Sequence, residues 1–211
     1  ATEIDMILEW SAGGYPQGPL AKTPISVTSV GDWTLGEPAL VLEVPEAFLL
    51  DADTSETIRY FVIPSGLSED RVLIGAEFKP DARAVVRGAA IFIDSTGRAR
   101  ALDTADTGVG FGQTDGQSFP AVPPVAVWTP GQSSILNEAG GYLVPTGADI
   151  VVRIHYKKTW ITEGTDFSDQ SQVGLHFGDG DVAIIESTLV SSPGVNTGDH
   201  VMFSHDFDND M

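Results

Sequence analysis

The 211-residue sequence contains no cysteine. That absence excludes disulfides, thiolate zinc sites, iron–sulfur clusters and covalent c-type haem attachment within the chain, while leaving the compartment open. Basic residues are scarce as well: 11 Lys and Arg stand against 30 Asp and Glu, a formal net charge of −19. A field of that sign repels nucleic acid and anionic lipid headgroups, so nucleic-acid binding is disfavoured; it keeps a protein soluble and can steer a basic partner. Long apolar runs are missing too. The longest, Ala89 to Ile93, is strand-sized and follows Arg87 closely, well short of the roughly 18 residues a membrane helix needs, so no direct membrane span is expected. The chain opens at Ala1 without an initiator Met, as a processed exported chain or a fragment would, which leaves a leader or anchor open.

What is present reads as a β protein. A hydrophobic content of 42% is ordinary for a packed core, and the length suits one large β domain or two small ones. Apolar positions 4, 6, 7, 8 and 10 within Ile4 to Trp10 fit helical spacing, and the glycines and prolines of SAGGYPQGP then stop the helix. Beyond it, 23 Gly and 13 Pro punctuate short β-branched and aromatic segments. The strands expected are Ala39 to Val44, Ile58 to Ile63, Val72 to Phe78, Val85 to Ile93, Val125 to Trp128, Ile150 to Tyr156, Val173 to Phe177, Val182 to Val190 and His200 to His205. Turn chemistry sits at Asp94-Ser95-Thr96-Gly97, Pro145-Thr146-Gly147 and Gly178-Asp179-Gly180-Asp181. The stretch Thr104 to Pro124, rich in Gly, Asp and Pro, reads as an extended surface loop. Neither an internal repeat nor a coiled-coil heptad is visible.

Three stretches follow one another in a telling order. Gly31-Asp32-Trp33-Thr34-Leu35-Gly36-Glu37-Pro38 leads to Leu42-Glu43-Val44-Pro45; Glu77-Phe78-Lys79-Pro80 leads to the segment Val85 to Asp94; Trp128-Thr129-Pro130-Gly131 leads to Ile154-His155-Tyr156. Together they resemble the copper type II, ascorbate-dependent monooxygenases, such as peptidylglycine hydroxylating monooxygenase and dopamine β-hydroxylase. The likeness is closer to bacterial relatives in which such a module follows a cytochrome c domain. The segment from Trp10 to Gly18 looks like the tail that joins the two.

The resemblance implies two jelly-roll sandwiches with one copper each. The first copper would be held by a His-His pair on one strand and a His in a later His-Tyr strand, the second by a His-x-His strand and a Met. Here the His-His pair falls on Arg87 and Gly88. A guanidinium stays protonated and offers no lone pair, and glycine has no side chain, so the first site is degenerate. His155 remains at the third position and shares a strand face with Val151 and Arg153 by alternation. The second site's His-x-His strand would lie beyond Met211; either the chain continues or another chain completes the sheet.

Other metal candidates are weaker. His200 and His205 flank Met202, a soft-ligand grouping, although a strand from His200 to His205 sets its histidines on opposite faces. Asp206, Asp208 and Asp210 alternate without the glycine and closing glutamate of an EF-hand, and His176 lies within a strand. Gly66-Leu67-Ser68 lacks the second glycine of a nucleophile elbow, and Gly108-Val109-Gly110-Phe111-Gly112 sits in a loop, not between a strand and a helix. No catalytic residue and no cofactor is therefore expected, copper being the alternative. Trp33, Tyr60, Phe78, Phe92, Trp128 and Tyr156 are expected in the core or its margins, not on an aromatic platform.

The sequence thus predicts an all-β, antiparallel jelly-roll-type sandwich with a short N-terminal helix and the start of a second sheet. Residues 1–30 form the helix and linker, 31–182 the sandwich, and 183–211 C-terminal strands or a docking tail. The function expected is that of a non-catalytic periplasmic or extracellular subunit docking onto a larger protein assembly, with a cytochrome or a membrane complex among the partners. The N-terminal portion of a copper monooxygenase and a ligand- or carbohydrate-binding sandwich are the alternatives.

Overall fold

The computed structural model describes residues 2–14, 33–112, 119, 123–132, 134–180 and 182–186. Helix α1, Glu3–Ala12, starts where Thr2 and Asp5 cap each other reciprocally, each side chain bonding the other's backbone N–H, and it stops at Gly13. The strands follow as β1 (Leu40–Glu43), β2 (Phe48–Leu50), β3 (Glu56–Pro64), β4 (Arg71–Lys79) and β5 (Val86–Asp94). A second helix, α2 (Arg98–Ala105), precedes β6 (Ala126–Trp128), β7 (Tyr142–Val144), β8 (Asp149–Lys157), β9 (Phe167–Asp169) and β10 (Gln172–Phe177).

Every pairing between these strands is antiparallel. The first sheet has the order β1-β10-β4-β7, the second β3-β8-β5-β6, and β2 with β9 makes a small ribbon. The chain passes repeatedly from one sheet to the other, so their inner faces close over a single core. Leu73, Ala76, Phe78, Val173 and Leu175 of the first sheet meet Phe61, Ile91, Ile150, Val152 and Ile154 of the second there.

Strand alternation decides which side chains enter. Along β8, Ile150, Val152, Ile154 and Tyr156 point inward, while Val151 belongs to a separate cluster on the outer face. The Tyr156 hydroxyl, fully enclosed, donates to Asp169 Oδ2 at 2.8 Å, and burial holds its pKa well above the usual phenol range.

The outer face of the second sheet is covered in part. Asp94 ends β5 and accepts from Thr96 N, Thr96 Oγ1 and Ala99 N, which starts α2 and buries Ala99. Burial opposes ionisation of Asp94, but those bonds outweigh it and lower its pKa. Tyr60 stacks on Phe111 with ring centroids 5.0 Å apart, and Phe119 meets Tyr60, Phe92 and Phe111 edge-on. Arg59 fixes this loop from the side, bonding Asp106 and the carbonyls of Val109 and Gly110.

The all-β expectation holds, with each strand predicted before residue 180 present to within two residues at either end. Four elements went unpredicted: α2, β2, β7 and β9, of which the strands have three residues each, too few for alternation to register. The stretch 104–124 is not wholly a surface loop. It begins inside α2, and its Phe111 and Phe119 are buried. Of the strand expected from Val182 to Val190, the described part makes only an isolated parallel bridge, Ile184 with Gly141, alongside the start of β7. The strand from His200 to His205 lies outside the described residues.

Candidate functional site

The structure brings together Arg87, Gly88 and His155, the positions that the resemblance matches to the first copper site. Gly88 is the register partner of His155 across β5 and β8, and a bulge between Val86 and Gly88 accommodates Arg87. All lie on the outer face of the second sheet, in one lateral row with Ile58 of β3. His155 is not available as an open ligand: its Nε2 lies 2.7 Å from Glu56 Oε1, while Lys157 Nζ lies 2.7 Å from Glu56 Oε2. Lys157 and then His155 lower the Glu56 pKa. Arg87 donates to the Ala84 carbonyl at 2.9 Å. A guanidinium, a glycine and a histidine already bonded to a carboxylate do not make a copper ligand set, so the first copper does not fit these residues. Among the described residues no group of three or more His, Asp and Glu is placed to hold a metal ion.

His200, Met202, His205, Asp206, Asp208 and Asp210 lie outside the described residues. His176 is buried on the outer face of the first sheet, with Nε2 3.0 Å from Glu77 Oε2. Glu77 Oε1 accepts from Thr34 N and Thr34 Oγ1, each at 2.6 Å, and from Leu35 N at 3.2 Å. This buried pair ties the segment before β1 down onto the sheet. Gly174 permits that approach, since a Cβ there would fall 2.6 Å from Pro38 Cγ and 3.0 Å from Trp33 Cζ3. Gly66 and Ser68 are exposed in the connection between β3 and β4, and Gly180 has φ 77°, as a turn requires.

The three stretches on which the family resemblance rests converge on one feature. Trp33 and Thr34 from the first, Glu77 to Pro80 from the second, and Trp128, Pro130 and Gly131 from the third line a cleft of about 380 Å³. Lys79 and Arg83 also line it. The Lys79 ammonium stands over the Trp33 ring at 5.6 Å, and Trp128 packs against Phe78 with centroids 5.3 Å apart. A groove of about 410 Å³ continues from the same Lys79, Pro80 and Arg83 towards Gln170 and Gln172. Tyr60, Phe78, Phe92 and Tyr156 are core residues as expected. Trp128 packs at the margin of the core, also as expected, and Trp33 is half-buried; both line this cleft.

Each motif is visible in the sequence, but their meeting point is not. Strand order alone decides that β4, the end of β6 and the segment before β1 come together, and no local pattern encodes that order. The buried Lys158, which donates to the Asp51 carbonyl, was equally invisible. No family model, curated protein or solved structure gives a significant match to this chain.

Proposed function

We propose that this chain is a non-catalytic, extracytoplasmic β-sandwich subunit that docks onto a larger protein assembly through its N-terminal helix. The observation that carries the reading is the exposure of the apolar side chains of α1. Ile4, Ile7 and Leu8 are 69%, 63% and 62% exposed, and by helical spacing they share one face. A helix of 10 residues is marginal on its own in water, and apolar groups set at i, i+3 and i+4 gain stability by entering a groove. Asp5 and Glu9 give α1 an acidic flank and its last turn has no base, so the complementary groove is apolar with a basic rim. The non-catalytic part of the reading is supported by Arg87, Gly88 and the Glu56-bound His155. Its compartment follows from the likeness to cytochrome-linked modules.

Hydrogen exchange on the isolated chain and on the native assembly tests the docking. Slow exchange of residues 3–12 in the assembly, absent from the isolated chain and abolished by Leu8→Asp, is the expected result. Protection of equal strength in isolation would remove the main support. Fractionation of the native cells tests the compartment, and recovery in the cytoplasm would count against it. No helix among the described residues is long and apolar enough to cross a membrane.

A further inference from the structure

We propose that the groove between β4 and β6 binds an uncharged aliphatic chain of medium length. The groove is built without α1, so this inference and the docking reading stand or fall independently.

The groove opens where the two sheets part. β4 belongs to the first sheet and β6 to the second, and a space of about 260 Å³ lies between residues 73–76 of the one and 125–127 of the other. Core residues reach into its lining: Leu73 and Ala76 belong to the buried cluster, and Val125 and Ala126 pack against it. Two further lining residues, Val127 and Ile135, are 56% and 78% exposed. A guest that touches the buried residues and covers the exposed ones removes apolar surface from water on both counts and so extends the core.

The lining selects the guest. Among the described residues that form it there is no Asp, Glu, Lys, Arg or His, in a chain of which 19% is charged. Its polar side chains, Gln132, Ser134, Asn137 and Tyr142, are all neutral. A charged group entering such a lining loses hydration and gains no partner, so the buried part of the guest is uncharged. The net charge of −19 disfavours an anionic head outside it as well. A peptide added as a strand to β4 is disfavoured by the wall on that side. Asn137 N donates to the Ile74 carbonyl at 2.8 Å, and Leu136 lies over Gly75, where a Cβ would fall 2.7 Å from Leu136 Cδ2. The β4 edge that an incoming strand would use is thus taken by the chain's own residues 135–137. An apolar cavity of about 150 Å³ holds the six carbons of benzene, so a groove of about 260 Å³ takes a chain of about ten.

The test is calorimetric titration of the full chain with the n-alkanols from hexanol to dodecanol, with decanoate at neutral pH, and with monomeric dioctanoylphosphatidylcholine. Alkanol affinity is expected to rise about fourfold per methylene, the factor for burying one CH₂, and to level off near decanol. Decanoate is expected to bind about tenfold or more weakly than decanol. Binding of decanol alone assigns the groove to a free aliphatic ligand, and binding of the phosphatidylcholine as well assigns it to the acyl chain of a lipid; either outcome supports the proposal. Ile135→Asp is expected to weaken decanol about tenfold by setting a charge in the apolar lining, and Val127→Asp, on the opposite wall, to do the same. Both positions are exposed, so the variants keep the fold, which circular dichroism verifies. Trp160→Ala, at an exposed position outside the lining, and Leu8→Asp on α1 should leave the affinity unchanged. Failure of every alkanol, affinity independent of chain length, equal binding of decanoate, or indifference to both aspartate variants would each overturn the proposal. So would a gain of affinity in Leu8→Asp, which would make α1 the occupant of the groove.

Discussion

Gly88 stands directly opposite His155 in the β5–β8 ladder. Side chains at directly opposed positions have Cβ atoms about 4.5–5.5 Å apart, close enough for two imidazoles to share one ion. A Cβ on Gly88 would meet nothing nearer than the Trp128 carbonyl oxygen at 3.5 Å, an ordinary contact. The ladder therefore has room for a second histidine at position 88, which the sequence does not supply. What stands there instead is the ion-paired arrangement of Glu56 with His155 and Lys157.

From this follows a gain-of-function prediction. The wild-type chain titrated with Cu(II) is expected to show no stoichiometric, tightly held signal by EPR, whereas Gly88→His should create one with nitrogen hyperfine structure. Tight one-to-one Cu(II) coordinated through His155 in the wild-type chain would refute the view that this position is closed to the metal.

Asp103 offers a pH-dependent prediction. Burial raises its pKa above the usual carboxylate range, Asp106 and Glu46 add to the rise, and Arg59 opposes it. For an acid shifted upward, the stabilising contribution is fully present below the ordinary pKa, near about 4, and is lost as pH rises through the folded value. Asp103→Asn should therefore stabilise the chain at pH 7, by less than about 1 kcal/mol because solvent screens a half-buried group. The gain should vanish below about pH 4. Urea unfolding at both pH values measures it, and a destabilised variant at pH 7 would contradict the assignment.

The division between what the sequence disclosed and what it withheld has a physical origin. Strands such as β3, β4, β5 and β8 were legible because each has 9 residues of β-branched and aromatic character bounded by turns. The face of His155 was legible from alternation with Arg153. By contrast, the partner of His155 is Glu56, 99 positions away, and that of His176 is Glu77, again 99 away. Periodicity carries no information over such separations; only the order of strands in the sheets does. Trp128 packs at the margin of the core, as an aromatic on a strand is expected to, while Trp33 is half-buried ahead of β1; both line the cleft.

Gly174 is expected to be needed for that cleft. Gly174→Ala places a methyl against Pro38 and Trp33, both within 3.0 Å, so the segment before β1 must lift. Overpacking of this kind costs about 1–3 kcal/mol. The expected signature is a lower urea midpoint together with a red-shifted tryptophan emission. A variant as stable as wild type, with unchanged emission, would show that the segment yields without strain.

The strongest stability effect on this face is expected at Glu77. Its two carboxylate oxygens serve separate partners: Oε1 the N–H groups of Thr34 and Leu35 and the Thr34 hydroxyl, Oε2 the ring of His176. Glu77→Ala leaves these buried groups without partners, and breaking a buried pair by removing one member costs about 3–5 kcal/mol. Glu77→Gln differs. Its amide oxygen can still accept from Thr34 and Leu35, and its NH₂ can donate to His176 Nε2 once that ring carries its proton on Nδ1. The cost should then fall to about 1 kcal/mol, the net worth of one hydrogen bond. Urea unfolding of both variants separates the outcomes. If alanine and glutamine are equally damaging, the negative charge is what holds the segment down; if both are mild, the contact of Trp33 with Gly174 and Lys79 holds it without Glu77.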